Sequence, residues 1–188
     1  MHVTIDMSGL PPVFPGNCTW FVRNLFIGVA RDHPDMQFTW WLNGSSENAG
    51  LPPNISINSS PYPKYGWPIF GWWFRKVIER KLKKSGVTLF ISIDKPPLPF
   101  SGIRACVLFT RREGMPQVPQ EKLSRRKASM RKLVLSFHNS DAVMTLFPSH
   151  AEWMKNRFPL HAAQIRLLLP AIDGENGMAD VEQSQRTR

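Results

Sequence analysis

The amino-acid sequence predicts a single Rossmann-like domain of the α/β class, with a mostly parallel sheet and helices on both faces. Segments with strand and helix periodicity alternate along most of the 188 residues, which is the pattern of β-α-β units. The segment Asp141–Phe147 is apolar over almost its whole length, as expected of a parallel strand that is buried on both faces. Hydrophobic residues make up 42% of the chain, which is enough for one sizeable core.

The elements of the first half follow from apolar spacing and from the positions of Pro and Gly. Apolar residues in short or alternating runs predict strands, and apolar residues three or four positions apart predict helices. A loop rich in Pro and Gly, residues 8–17, separates the first strand from the first helix. The predicted elements are strands at Val3–Met7, Phe38–Leu42 and Ile55–Ile57, and a helix over Phe21–Ala30 that ends before Pro34.

The second half continues this alternation and ends in a β-α-β unit. Gly86 is placed to end a helix, and the pair Pro96-Pro97 breaks the chain after a strand. The predicted elements are a helix at Ile69–Ser85, strands at Val87–Ile93 and Arg104–Thr110, a basic helix at Pro119–Phe137, and strands at Asp141–Phe147 and Ile165–Leu169.

A capping box predicts where the last helix begins. The hydroxyl of Ser149 would accept a hydrogen bond from the first turn, while the carboxylate of Glu152 would reach back to the N–H of the cap. Pro159 limits this helix to about Arg157. Gly174–Arg188 consists mostly of Gly, Glu, Gln, Arg and Ser, so we predict a domain of residues 1–170 followed by a polar tail or a truncated linker at residues 171–188.

The charge and the cysteine content limit which class of binding partner and which cellular compartment we expect. The net charge of +10 and the pI near 10.1 predict an anionic partner: nucleic acid, an anionic membrane face or phosphorylated substrates. Cys18 and Cys106 lie far apart and predict free, buried thiols. The sequence shows neither a signal peptide nor a transmembrane run, so we expect a cytoplasmic protein, with a peripheral position on the inner face of the membrane left open.

Candidate ligand-binding residues lie in the loops that follow predicted strands, because open α/β sheets bind ligands beyond the carboxyl ends of their strands. The first loop could hold a phosphate with backbone N–H groups, and its alternative is a plain turn. The later loops offer polar or cationic side chains, and their alternatives are a solvated loop, a solvated charge run or, in the last loop, a helix cap. The candidates are Gly16 and Asn17, Asp94 and Lys95, Thr110, Arg111 and Arg112, and Ser149 and His150.

Several chemistries lack their motifs in this sequence. There is no G-x-G-x-x-G after the first strand, no Walker lysine loop and no G-x-S-x-G elbow. The five histidines lack metal-ligand spacing, so no metal site is predicted. No two aspartates flank a single residue, so the acidic pair common in metal-dependent sugar-nucleotide transferases is absent. Any glycosyl chemistry is therefore predicted to be metal-independent.

A family resemblance rests on stretches near both ends of the chain. These are Gly16, Phe21–Leu25 and Asp32–Phe38 near the start, and Ser140–Phe147, Ser149, Ile165–Pro170 and Asp173 near the end. The first set resembles the start of family-4-like GT-B glycosyltransferases, where a Gly-bearing loop opens a helix that ends at a His-Pro-Asp turn. The second set is similar to the segment that closes the N-terminal domain in that family, although the usual Asn-Gly of the closing turn is absent here.

The resemblance implies the acceptor-binding half of a glycosyltransferase. Its acceptor would be a glycan, a lipid-linked molecule or a small molecule. The resemblance also implies a sugar-nucleotide donor as co-substrate and no other cofactor. In the family a C-terminal domain binds most of this donor, so the resemblance implies a donor-binding domain or partner chain and no turnover without it. Many members carry a His-Asp pair where this chain has Thr110-Arg111-Arg112-Glu113, so no acceptor-side histidine is carried over. A degenerate partner protein that keeps the fold without chemistry fits the same departures.

A second class of function rests on an aromatic segment that leads into a cationic helix. Such segments are typical of membrane interfaces, and the alternative is a core helix with solvated lysines. The predicted membrane-facing residues are Trp67, Trp72, Trp73, Arg75, Lys76, Arg80 and Lys83. The alternative function is thus a non-catalytic basic module for an anionic membrane or nucleic acid. Nucleic acid is the less favoured partner, because no aromatic RNA-binding motif or recognition-helix pattern is present.

Overall fold

A computed structural model describes residues 1–10, 18–43, 50–59, 71–111 and 123–168, with backbone only at 71–74 and 123–126. Its strands are β1 (His2–Asp6), β2 (Gln37–Leu42), β3 (Ile55–Ser59), β4 (Leu89–Ile93), β5 (Arg104–Phe109), β6 (Ala142–Thr145) and β7 (Ile165–Leu167). Its helices are α1 (Cys18–Asp32), α2 (Gly71–Lys84), α3 (Leu123–Asn139) and α4 (Pro148–Arg157), followed by a 3-10 helix at Pro159–Gln164. The predicted tail, residues 171–188, and the boundary at residue 170 lie outside the described residues.

The seven strands form one sheet in the order β3-β2-β1-β4-β5-β6-β7, and every neighbouring pair is parallel. Parallel neighbours need crossover connections, and helices supply them where strand-helix alternation was predicted. The predicted α/β class and Rossmann-like sheet are therefore confirmed. The sheet is wholly parallel across the described residues, where the sequence predicted a mostly parallel one.

Alternate residues of the strands pack under helices on opposite faces of the sheet. On one face, Val22 and Phe26 of α1 pack in a core cluster with Ile5 of β1 and Trp40 of β2. The next residue of β2, Trp41, points to the other face. There it joins the core beneath α2, and a separate cluster under α3 and α4 completes that face. Helices on both faces, as predicted, follow from this period of two.

The connection between β4 and β5 carries no helix. Residues 94–103 form an extended loop whose apolar side chains fill the space that a crossover helix would occupy. The rings of Phe100 and Phe90 meet edge to face with centroids 5.0 Å apart, and Leu98 packs against the same core. The diproline in this loop disfavours helix, which explains the extended backbone.

Glu79 of α2 ties this loop to the helix. Its Oε1 lies 2.7 Å from Nζ of Lys83, one turn further on, and accepts a hydrogen bond of 3.2 Å from the backbone N–H of Ser101. The hydrogen bond from the Lys83 ammonium lowers the pKa of the Glu79 carboxyl. A surface ion pair thus also holds the extended loop against α2.

Asn54 fixes the turn that joins α1 to β2. Its side chain is buried, and its Nδ2 lies 2.9 Å from the carbonyl oxygen of Ala30, 3.1 Å from that of His33 and 2.9 Å from that of Met36. The last carbonyls of a helix have no partner within the helix. Ala30 belongs to α1, whereas His33 and Met36 lie in the turn after it, so the two N–H groups of one buried amide are shared between the end of the helix and the turn.

The predicted cap of the last helix is wrong. Helix α4 begins at Pro148, and its N-cap is Phe147, whose side chain makes no capping hydrogen bond. Pro148 suits the first helical position because its φ is already fixed near the helical value and it has no N–H to satisfy. Ser149, predicted as the N-cap, is therefore the second residue of the helix, and the helix begins two residues earlier than predicted. The predicted end at Arg157, before Pro159, is confirmed.

The cysteines and the helix lengths complete the comparison with the sequence. Cys18 and Cys106 are free, as predicted, but both are half-buried rather than buried. Within the described ranges, no helix is long and apolar enough to cross a membrane.

Candidate functional site

The strand order reverses between β1 and β4, and this reversal positions the candidate site. In doubly wound sheets the loops that follow such a pair of strands lead to opposite faces, and ligands bind between them; we call this carboxyl edge between β1 and β4 the crevice. The two strands are paired in parallel up to Asp6 and Ser92. Polar side chains at this edge therefore face the position where ligands of open α/β sheets bind.

A buried ion pair spans the crevice. Asp6, the last residue of β1, is fully buried, and its Oδ2 lies 2.7 Å from Nζ of Lys95 in the loop after β4. The backbone N–H and the hydroxyl of Ser8 donate to Oδ1 of Asp6 at 3.1 and 2.7 Å. A carboxylate without solvent needs such partners, because burying an unpaired charge is strongly unfavourable.

The Lys95 ammonium is held at the mouth of the crevice rather than inside the core. It donates to the Ser8 hydroxyl at 2.6 Å, and 29% of its side chain remains exposed. The hydroxyl of Ser92 donates to the carbonyl oxygen of Lys95 at 2.6 Å, and Nδ2 of Asn43 donates to the carbonyl oxygen of Ser8 at 2.5 Å. These bonds join the ends of β1, β2 and β4, so a positive charge is presented from a fixed backbone.

A second polar group joins the ends of β4 and β5. Asp94 has a φ of 54°, and its carboxylate accepts from the N–H of Thr110 at 2.8 Å and from the Thr110 hydroxyl at 2.5 Å. Nε of Arg111 lies 3.9 Å from Oδ2 of Asp94, with 63% of the Arg111 side chain exposed. The backbone at Asp94 is in the left-handed region, which aspartate tolerates better than most residues. In this conformation the Asp94 side chain turns back towards β5. The guanidinium is thus a second cation at the same edge.

The structure brings four of the predicted ligand-binding residues to this edge and shows two more at the start of α4. Ser149 is exposed, whereas His150 is fully buried with its Nδ1 3.0 Å from the hydroxyl of Thr145. The His150 ring stacks on Trp153 and meets Phe109 edge to face. His150 therefore contacts the core in this conformation rather than the crevice. Gly16, Asn17 and Arg112 lie outside the described residues.

Asp6, Ser8 and Asn43 were not predicted as site residues. Asp6 interrupts an apolar strand at its carboxyl end, and a charged residue at that position is the one sequence signal that could have marked it. Ser8 and Asn43 carry no such signal, because their role depends on the approach of β4 to β1. In the part of the chain that the structure describes, no group of three or more His, Cys, Asp or Glu side chains could hold a metal ion.

A cavity of about 630 Å³ lies at the opposite, amino edge of the sheet. It is lined by the starts of β4 and β5 and by the residues that follow α3, among them Arg104, His138 and Asp141. Nδ2 of Asn139 donates to the carbonyl oxygen of Pro97 at 3.1 Å beside it. Ligands of doubly wound sheets bind at the carboxyl edge, so we assign the candidate site to the crevice and not to this cavity.

The predicted membrane-facing residues divide along α2. Lys76, Arg80 and Lys83 are exposed, while Arg75 is half-buried. The side chains of Trp72 and Trp73, and all of Trp67, lie outside the described residues.

We compared the sequence and the fold with those of known proteins. No protein-family model and no curated protein matches the sequence. Apo UGT2 of Phytolacca americana is similar with a TM-score of 0.50 and 13% identity, over 100% of this chain and 54% of that one. A UGT transferase from Siraitia grosvenorii in complex with UDP has a TM-score of 0.50 and 8% identity, over 97% of this chain and 53% of that one. The chain has the fold of one half of a GT-B glycosyltransferase.

A variant of the wall teichoic acid polymerase TagF is also similar, with a TM-score of 0.50 and 10% identity, over 88% of this chain and 37% of that one. The chain spans about half or less of the length of these structures. At identities this low the similarity concerns the fold. It is consistent with a half-domain and confirms the predicted GT-B architecture.

Proposed function

We propose that the chain is the acceptor-binding half of a metal-independent glycosyltransferase that uses a sugar-nucleotide. The observation that carries the proposal is the crevice between β1 and β4, where the buried Asp6 holds the Lys95 ammonium in place. In the reaction, the bond between the sugar and the nucleoside diphosphate breaks, and a new bond forms between the sugar and an acceptor hydroxyl. A nucleoside diphosphate and a proton are released.

The cations at the crevice suit an acceptor that carries a phosphate or carboxylate. Lys95 and Arg111 both retain exposed surface there, and the ammonium of Lys95 is fixed by its 2.7 Å contact with the buried Asp6 carboxylate. Fixed cations bind an anionic group without the ordering cost of mobile side chains. A lipid-linked or small phosphorylated acceptor fits this arrangement, and a neutral glycan does so less well.

The donor sugar-nucleotide requires a second domain or chain in this proposal. The solved GT-B structures to which the chain is similar are about twice its length or longer. Acceptor binding and glycosyl transfer are therefore separable, and the chain alone is expected to do only the first.

The test is to incubate the purified chain with UDP-, GDP-, dTDP- and CDP-sugars and a panel of acceptors, and to measure nucleoside diphosphate release. No release above background is expected, and robust turnover by the chain alone would sink the half-enzyme proposal. Acceptor binding is measured in parallel by saturation-transfer NMR, with Arg111→Gln as the site variant. Arg80→Gln, an exposed arginine of α2, is the matched control.

A phosphorylated acceptor is expected to bind the native chain and the Arg80→Gln control equally, and the Arg111→Gln variant several-fold more weakly. If sugar-nucleotides bind and no acceptor does, the chain is instead the donor-binding half. If Arg111→Gln and Arg80→Gln weaken binding equally, the cationic surface as a whole binds the ligand and the crevice is not the site.

An anionic membrane surface is a second candidate partner, supported by one face of α2. Lys76, Arg80, Lys81 and Lys84 are exposed there, and Val77 is 39% exposed among them. Each such cation near anionic lipid contributes about 1 kcal/mol. This surface would place the chain peripherally on a membrane and bring a lipid-linked acceptor to the crevice.

Sedimentation with phosphatidylserine vesicles at low and high salt tests the membrane proposal. Binding at low salt that is lost at high salt, and weakened by Lys76→Glu with Arg80→Glu, is the expected result. An absence of binding at low salt would remove the membrane proposal and leave the acceptor proposal intact. Salt-dependent binding to an oligonucleotide but not to vesicles would favour the nucleic-acid alternative.

A further inference from the structure

A continuous groove runs along the outer face of α1. One cavity of about 560 Å³ extends from Trp20 to Arg31, with Gly50 in its far wall. A second cavity of about 370 Å³ begins at the same Arg31 and Gly50 and continues along Leu51 to Asn54. Because the two cavities share these residues, we treat them as one feature, the α1 groove. It includes none of the polar groups of the crevice.

The residues of α1 that line the groove recur at helical spacing beside the buried face of the helix, and one of them, Ile27, is half-buried and also packs against the core. Trp20, Asn24, Ile27 and Arg31 are placed at i, i+4, i+7 and i+11, while Val22, Phe26 and Ala30 of the same helix are buried. Trp20 is 44% exposed. Such a stripe covers three turns, or about 16 Å of helix. Its spacing matches the face that one helix presents to another.

Glycine shapes the floor of the groove. Gly28 lies within α1, and a Cβ placed there would meet no heavy atom within 4 Å among the described residues. Glycine is one of the poorest residues for a helix interior. No contact among the described residues requires the absence of a side chain at this position. A helix surface without a side chain does, however, allow the backbone of a partner to approach closely.

The charges of the groove specify its partner. Arg23 and Arg31 line the first cavity, and no aspartate or glutamate is among the lining residues described for either cavity. Eight residues separate the two arginines, which corresponds to about 12 Å along the helix. Ile27 lies between the two arginines and offers an aliphatic contact. Trp20 is the one aromatic ring among the described lining residues of the two cavities, whereas a nucleic acid needs a series of rings on which successive bases stack, so the lining favours an apolar side chain between two anionic groups.

We propose that the α1 groove binds an acidic amphipathic helix of a partner protein. That helix would place two carboxylates seven or eight residues apart against Arg23 and Arg31, with an apolar residue between them against Ile27 and a second apolar residue beyond the first carboxylate against Trp20. This mode is helix-in-groove recognition with charge complementarity at the ends. It is independent of the proposed glycosyl transfer, so either can fail without the other.

The test is selection from a phage-displayed library of 16-residue helix-biased peptides against the full chain, followed by fluorescence anisotropy with the synthesised, fluorescein-labelled peptides. Enrichment of acidic amphipathic peptides is the expected result. Arg31→Glu should weaken their binding at least tenfold, and a Glu→Lys change in the peptide should restore binding to that variant. Lys84→Glu makes the same charge change on the exposed surface of α2 and should leave binding unchanged.

Gly28→Leu separates occupancy of the groove from folding. The leucine fills the groove from a position with free space and replaces a poor helix former with a good one, so the chain should fold at least as stably while peptide binding is lost. Unchanged peptide binding by Gly28→Leu would overturn the proposal, as would enrichment of peptides without acidic residues. Binding of a labelled dT15 oligonucleotide that Gly28→Leu abolishes would assign the groove to nucleic acid instead.

Discussion

Removing the charge of Lys95 is expected to destabilise the chain more than removing the charge of its partner Asp6. The side chain of Asp6 is 0% exposed, whereas that of Lys95 is 29% exposed. In Lys95→Met the carboxylate stays buried and keeps only the two Ser8 donors. In Asp6→Asn an oxygen still accepts from Ser8, and the ammonium can turn towards water.

The structure sets the size of this asymmetry. Leaving a buried charge without its partner costs about 3–5 kcal/mol, and the two remaining Ser8 donors place Lys95→Met near the lower end, at about 3 kcal/mol. Asp6→Asn replaces one charged contact at a partly solvated site, so we expect about 1 kcal/mol. At about 2–4 °C per kcal/mol for a chain of this length, Lys95→Met should lower the Tm by about 6–12 °C.

Urea unfolding followed by tryptophan fluorescence and circular dichroism measures both losses, provided that the slope m is unchanged. The double variant Asp6→Asn with Lys95→Met removes both charges and should be more stable than Lys95→Met alone. Lys84→Met, an exposed lysine of α2, is the control and should change stability by less than about 0.5 kcal/mol. The reasoning is refuted if Lys95→Met costs no more than Asp6→Asn, or if the two losses simply add.

Three further predictions follow from contacts elsewhere in the chain. Asn54→Asp turns carboxylate oxygens towards the three carbonyl oxygens of the end of α1 and the turn after it, and should cost about 3 kcal/mol in thermal unfolding. The exposed Asn58→Asp should cost little, and equal losses would contradict the buried donor role. Burial, with a smaller contribution from a nearby carboxylate, raises the pKa of the Cys106 thiol above its ordinary value of 9.0. In a Cys18→Ser variant at pH 8, iodoacetamide should therefore alkylate the Cys106 thiol more slowly than it alkylates the thiol of glutathione, and equal rates would exclude the raised pKa. The free energy of unfolding should fall as the pH rises through 9, because the thiol of the unfolded chain ionises first. The pKa of Glu79 is lowered by its lysine partner, so its contribution to stability is present above the ordinary value of 4.5 and is lost as the pH falls through the lowered pKa. Glu79→Gln should flatten the acid limb of the stability curve, and an unchanged limb would argue against the link between α2 and the loop.

Local sequence was sufficient for most of the elements. Each predicted strand overlaps a strand of the structure, and α1 and α4 end where Pro34 and Pro159 required it. Periodicity and proline act over a few residues, so they can be read without knowledge of the fold. The cap at Ser149 failed because two local signals competed, and Pro148, with its fixed φ, prevailed over the hydroxyl.

The candidate site was only partly accessible from the sequence. Asp94, Lys95, Thr110 and Arg111 were found because they follow strands, and a parallel sheet brings the ends of its strands to one edge. The partner of Lys95 was missed, since Asp6 lies 89 positions earlier and reads as part of an apolar strand. His150 was predicted as a polar contact at a helix mouth, and its burial against Trp153 depends on how α4 packs.

The sequence by itself determined the class of fold, the order of strands and helices and the excess of positive charge, because these depend on composition and on spacing within a few turns. The tertiary structure alone decided the strand order β3-β2-β1-β4-β5-β6-β7, the pairing of Asp6 with Lys95 and the α1 groove. Each of these depends on distances between residues far apart in the chain. Such distances are fixed only when the strands pair and the helices pack, since the hydrophobic effect that drives packing is non-directional and does not specify partners.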